Sequence, residues 1–273
     1  MSDRRDDRLV EALQHISSAD AACAELDFPK ALSHTRLASA HLLPAGDDPV
    51  AAELLTYALT IEADVHRHLN EGVAAELTAS VARAIAEESV PGSGAAAVAI
   101  LSDLTCQELF GDPRRAAEQL VVFERDLRDV TRWNSAPARL QALDHVLSCA
   151  KRIGDWSFAH YAIKAGHELA EDLAEHHPDV AASFWQWRGF AESSLGDLDR
   201  ACAALELSLA YRARNRRRDA TRPLVEAELA IAGGDLETGR ALFLGALEGL
   251  LALGMLRHHA SVTAMLKRRR IIT

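Results

Sequence analysis

Aromatic residues are scarce in this chain. Phe, Trp and Tyr make up only 5% of its 273 residues. Val, Ile and Tyr, the residues that suit a pleated sheet, are sparse beside Ala and Leu. A β-rich fold is therefore excluded, and an all-α fold is expected. No apolar run reaches the roughly 18 residues that a membrane-spanning helix needs. The opening stretch MSDRRDDRLVEALQ has no apolar core of the kind a signal peptide carries, which predicts a cytoplasmic protein. The four cysteines, Cys23, Cys106, Cys149 and Cys202, include no CxxC pair. Each sits in a helical apolar pattern and reads as a small core-filling residue in a reducing compartment.

Chemical motifs are lacking too. GxSxG, a Walker loop, a dinucleotide GxGxxG and HExxH do not occur. PGSGAAA (91–97) is glycine-rich, but it follows no strand and has no Lys after it, so it reads as a linker. With no clustered acid, base and nucleophile, neither an enzyme nor a cofactor is expected.

What the chain does have is charge, unevenly spread. The net charge is −10. Residues 1–110 hold 7 basic and 18 acidic side chains, whereas residues 210–273 hold 12 basic and 6 acidic. The basic end carries RARNRRRDATR (212–222) and KRRR (267–270). Arg212, Arg214, Arg216, Arg217 and Arg218 form a candidate basic patch for an acidic partner. The negative total and the absence of interleaved aromatics argue against nucleic acid. The acidic first third of one chain also complements the basic end of another, so head-to-tail self-association is a further expectation.

The strongest signal is internal repetition. In GDLDRACAALELSLAYR, Gly196 is followed by a small residue five positions on (Ala201) and another at twelve (Ser208). The spacing recurs from Gly154 to Ala159 and Gly166, and from Gly234 to Gly239 and Ala246. From Gly111 it gives Ala116 and then Phe123; from Leu26, Ala31 and Ala38; from Asn70, Ala75 and Ala82. These six turn positions are 44, 41, 43, 42 and 38 residues apart. Gly or Asn at a turn suits the left-handed conformation that ends a helix. Asp112, Asp155, Asp197 and Asp235 then fit the N-cap of the next helix, and Pro113 its first turn. Small residues seven apart on one face let two antiparallel helices approach closely. Asp48-Pro49, Ser93-Gly94, Ser135-Ala136-Pro137 and His177-Pro178-Asp179 read as starts of the first helices. Six hairpins follow, at about 8–44, 48–89, 93–133, 136–176, 178–214 and 219–254, with a capping helix at 255–269.

This pattern resembles the tetratricopeptide repeat, whose hairpins have an aromatic residue and Gly in the first helix, Gly-Asp at the turn, and Ala five and twelve residues later. The copy with Trp185, Gly189, Gly196-Asp197, Ala201 and Ser208 matches it best. The period near 42 is longer than that family's 34 and looks more like the extended repeats of bacterial MalT/LuxR-type and Rap-type regulators or of kinesin light chain. The resemblance implies a single right-handed superhelical α-solenoid over residues 1–273, with an inner groove lined by the first helices. It implies a protein-protein interaction scaffold that binds a partner segment or peptide. The alternative it implies is a regulatory sensor of a signalling peptide or small ligand that controls a transcription factor or kinase.

On this register the groove face falls two, three and six residues before each turn. It selects Asp64, Arg67 and His68; Ser148, Lys151 and Arg152, with Asp144 and His145 a turn earlier; and Phe190, Ser193 and Ser194, with Gln186 a turn earlier. The third copy offers Thr105, Glu108 and Leu109. Lys151 and Arg152 read either as a clamp for a carboxylate or as a solvated helix end favoured by the macrodipole. In FWQWRGF (184–190), Trp185 fits the core, while Trp187 and Phe190 share a face that suits either packing or a stacked ligand. His167, Glu171 and Glu175 share a helical face, but read as a polar stripe rather than a metal site.

Overall fold

The computed structural model describes residues 2–45, 48–128, 136–212 and 215–268, and every regular element among them is helical. The chain divides into two compact units. The described residues of the first are 2–45 and 48–111, and those of the second are 112–128, 136–212 and 215–268.

The first unit holds α1 (Ser2–Ala24), α2 (Phe28–Leu42), a short 3-10 turn (Leu43–Ala45), α3 (Pro49–His68), α4 (Gly72–Ser89) and α5 (Gly94–Phe110). α1 pairs with α2 and α3 with α4, while α5 packs on both α3 and α4. The second unit holds α6 (Pro113–Arg128), α7 (Ala136–Ile153), α8 (Trp156–Leu173), α9 (Pro178–Leu195), α10 (Leu198–Tyr211), α11 (Arg216–Ala232), α12 (Leu236–Ala252) and α13 (Leu256–Arg268). Here α7 with α8, α9 with α10 and α11 with α12 form the hairpins, α7 also packs on α6 and α9, and α13 lies on α12. The boundary between the units falls at Gly111, inside the third of the six hairpins read from the sequence.

The turns follow from backbone chemistry. Leu26, Asn70, Gly154, Gly196 and Gly234 all adopt positive φ, between 62° and 91°. At Gly196 the amide of Asp197 bonds the carbonyl of Glu192 at 3.0 Å, and at Gly234 the amide of Asp235 bonds that of Ala230 at 2.8 Å. The same closure recurs at Leu26 and Asn70, through Asp27 to Ala22 at 2.8 Å and Glu71 to His66 at 2.9 Å. This six-to-one bond satisfies a carbonyl that the helix end would otherwise orphan. Gly254, at φ 69°, repeats it between α12 and α13. Gly111 differs. Its φ is −109°, so the glycine serves close approach instead: an added Cβ would lie 3.0 Å from the carbonyl oxygen of Gln107.

Most of the new helices start on a side-chain acceptor, although α4 and α9, at Glu71 and His177, do not. Asp27, Asp112, Asp155, Asp197 and Asp235 accept from the amides of Lys30, Arg114, Ser157, Arg200 and Thr238. Asp48 and Ser93 do the same for α3 and α5. Asn215, which sequence reading passed over, caps α11 through the amide of Arg218, so that helix begins at Arg216 rather than near residue 219.

The small residues line the seams. Ala31, Ala38, Ala75, Ala82, Ala116, Ala159, Ala201 and Ser208 are all fully buried. A Cβ at Gly166 would meet Phe184 Cε2 at 2.4 Å, and one at Gly239 would meet Ile231 Cγ1 at 2.5 Å. Interiors are close-packed, so a helix pair this near admits nothing larger. Phe123, the one large residue at such a position, is buried as well.

Candidate protein-interaction surface

The residues assigned to a groove divide between the units: Asp64, Arg67, His68, Thr105, Glu108 and Leu109 lie in the first and the rest in the second. Many of them do not face solvent. His68 is fully buried, stacked on Phe28 with ring centroids 5.5 Å apart. Arg67 is 8% exposed and donates to the carbonyl and hydroxyl oxygens of Ser102 on α5, at 3.2 and 2.8 Å, and to Asp64 at 3.0 Å. Burial works to discharge its guanidinium, but Asp64 and the Cys106 sulfur outweigh that and hold it above the ordinary arginine value. Thr105 and Glu108 of the third copy are buried too.

The second unit repeats this arrangement. Asp144 and Ser148 on α7 are buried, and Asp144 accepts from Ser183 on α9 at 2.9 Å. Ser193 on α9 donates to the buried Glu228 on α11 at 3.1 Å. Gln186 accepts from Arg212 at 2.9 Å. Several residues assigned to a groove are instead covered by a neighbouring helix: Arg67 and Asp144 by the next first helix, and His68 by Phe28 of α2. Three pairs of first helices within the units thus share buried polar contacts: Arg67–Ser102 between α3 and α5, Ser183–Asp144 between α7 and α9, and Ser193–Glu228 between α9 and α11. Buried polar groups need partners, and these supply them.

Partly open are Asp64 on α3, Leu109 on α5, His145, Lys151 and Arg152 on α7, and Gln186, Trp187 and Ser193 on α9, all half-buried. The Lys151 ammonium lies 4.2 Å from the Phe190 ring centroid and 5.9 Å from that of Trp187. Phe190 itself is buried, edge-on to Trp187 and packed on Leu205 and Val225. Sequence reading named Lys151 and Phe190 separately; the structure makes them one feature, a cation on an aromatic shelf.

The arginine run is also divided by the fold. Arg212 is buried, Arg216 exposed, and Arg217 and Arg218 half-buried; Arg214 lies outside the described residues. Arg218 faces Asp179 at 3.8 Å, and Arg222 binds Glu226 at 2.7 Å. Sequence reading missed a second buried charge centre. Glu124 on α6 is fully buried, accepting from Arg128 at 2.7 Å, Tyr161 at 2.7 Å and Arg139 at 3.1 Å. Burial pushes its carboxyl up, but those donors win and hold it below the ordinary value. It ties α6, α7 and α8 together, and only its place in an apolar face of α6 could have marked it.

Among the described residues no group of three His, Cys, Asp or Glu side chains is arranged to hold a metal, and His167 bonds Arg188 at 2.8 Å. None of the four cysteines forms a disulfide. No described helix is long and apolar enough to cross a membrane.

No protein-family model and no curated protein matches the chain. In three dimensions it is similar to the crystal structure of BtubC (BKLC) from P. vanneervenii, with a TM-score of 0.56 and 17% sequence identity over 89% of this chain and 92% of that one. At that identity the likeness shows a shared helical fold.

Proposed function

We propose that the chain is a tetratricopeptide-like repeat protein whose work is to hold a segment of another protein against its first helices. Three features support this reading. Five of the six turns at near-regular spacing take positive φ, small residues sit where the repeat demands them, and the fold is shared with another helical protein. The observation that carries the binding role is the Lys151–Phe190–Trp187 cluster on α7 and α9. An ammonium held over an aromatic face, beside the half-buried Arg152, suits a peptide carboxylate with an apolar neighbour.

The test is affinity capture from cells that make the protein, with the parent chain and a Lys151→Glu/Trp187→Ala variant. A protein retained by the parent and lost from the variant supports the reading. Equal retention by both, or retention of nothing by the parent, overturns it.

A further inference from the structure

The hairpin of α1 and α2 gathers three imidazoles and a carboxylate that neither the repeat nor the interaction surface uses. His15 on α1 meets His34 on α2 with their Nδ1 atoms 3.1 Å apart. The His15 ring is also stacked on His41 of α2, with centroids 5.7 Å apart and planes 23° from parallel. His41 Nδ1 lies 3.2 Å from Glu11, which stands one turn before His15 on α1. All three histidines are half-buried and Glu11 is exposed, so solvent reaches the cluster.

The seam explains why α1 and α2 lie close, since Ala12, Ala19, Ala31 and Ala38 are all fully buried. It does not call for imidazoles beside it. In a direct Nδ1–Nδ1 contact one ring donates and the other accepts, which a hydroxyl or amide pair could do as well. What imidazole adds is a lone pair suited to a late first-row metal ion. The spacing fits that use. Two nitrogens on one tetrahedral ion, each at ~2.0–2.1 Å, are ~3.3–3.4 Å apart, so His15 and His34 need part by only about 0.2–0.3 Å. The two rings come from different helices, so helix packing sets their distance. Charge favours a cation as well: residues 1–110 hold 18 acidic against 7 basic side chains, and Glu11 brings one carboxylate to the edge of the cluster.

We propose that the Nδ1 atoms of His15 and His34 bind a zinc ion across α1 and α2, with water in the remaining positions. Zinc imposes no geometry of its own and accepts a pair of imidazoles fixed by helix packing. On binding, the Nδ1 proton that the pair shares passes to the Nε2 of its ring, and both rings stay neutral. Two protein ligands are fewer than the three or four of catalytic and structural zinc sites, so the ion is exchangeable. The unfolded chain scatters these ligands, so the bound ion ties α1 to α2 and stabilises the hairpin. The site shares no residue with the Lys151 cluster, and the two readings fail independently.

Titration of the full chain with zinc chloride at pH 7.5, followed by calorimetry, is expected to show one ion per chain. His15→Asn and His34→Asn, each checked for unchanged helicity, are expected to weaken that binding at least about tenfold. His176→Asn/His177→Asn, at an exposed adjacent pair, is expected to leave it within about twofold. In the parent, without any substitution, zinc is expected to shift the ring-proton resonances of His15 and His34 and to leave those of His176 and His177 in place. No zinc binding by the parent, affinity unchanged in either histidine variant, equal weakening in the His176/His177 variant, or resonance shifts confined to other histidines would each overturn the proposal.

Discussion

Gly239 and Gly245 lie six residues apart on α12, on different faces, and replacing each by Ala separates seam packing from helix propensity. Both substitutions gain the same intrinsic term, about 0.8–1.0 kcal/mol for Ala over Gly inside a helix. At Gly245, which is exposed, the new methyl meets nothing within 4 Å. Gly245→Ala is therefore expected to stabilise the protein by about that amount. At Gly239 the methyl arrives 2.5 Å from Ile231 Cγ1 and 2.9 Å from the carbonyl oxygen of Ala227. The isoleucine can turn aside, but the carbonyl belongs to α11 and moves only if the two helices separate. Overpacking of this kind costs about 1–3 kcal/mol, so Gly239→Ala comes out between neutral and about 2 kcal/mol destabilised, always below Gly245→Ala. Urea denaturation of the parent and both variants measures this, with a thermal shift of about 2–4 °C per kcal/mol for a protein of this size as a check. Equal effects of the two substitutions would mean that α11 and α12 are not in close contact at Gly239, and the argument from small residues at seams would fail with it.

The same logic extends to Ala159→Leu and Ala201→Leu, each at a fully buried seam position, with an expected loss of about 1–3 kcal/mol by urea denaturation. Glu124→Ala removes the acceptor of two arginines and Tyr161 and is expected to cost about 1–3 kcal/mol. Because the folded carboxyl titrates lower than the unfolded one, the stability Glu124 contributes is present above the ordinary value of 4.5 and is lost as pH falls through the folded value. His15 gives the opposite cause with the same sense. Its ring stands 5.3 Å from His34 and 5.7 Å from His41, and His41 in turn faces Glu11 at 3.2 Å. Burial and the two neighbouring histidines lower its value below 6.5, against the pull of Glu11. The folded state therefore takes up its proton later than the unfolded one, so stability is full above 6.5 and declines as pH falls below it. Thermal melts from pH 7.5 to 5 are expected to show that decline, and His15→Asn to reduce it; an unchanged slope would count against the cluster.

Much of the fold was legible in the residue order because its causes are local. A residue that must take a left-handed conformation, an aspartate that must cap the next helix and small residues seven apart each act over a few positions of the chain. Periodicity then multiplied a weak signal six times. Even Leu26 and Asn70, which are not glycines, were found by spacing and do take positive φ. Gly111 shows the limit, since its role depends on a carbonyl approach that no spacing announces.

The candidate sites were legible only in part. Sequence period places Asp64, Arg67, Asp144 and Ser193 on one face of their helices, but a face is not yet a surface. Whether it meets solvent or the next helix depends on how successive first helices lean together, and tertiary packing put Ser102, Ser183 and Glu228 against them. The difference between Arg67 and Arg212 is of the same kind. Both are arginines in a helical hairpin, and the sequence alone determined their charge and their place in the repeat. Only the tertiary structure decided that one lies beside a carboxylate and the other among neutral acceptors, because burial and Coulomb attraction depend on distances that the order of residues does not set.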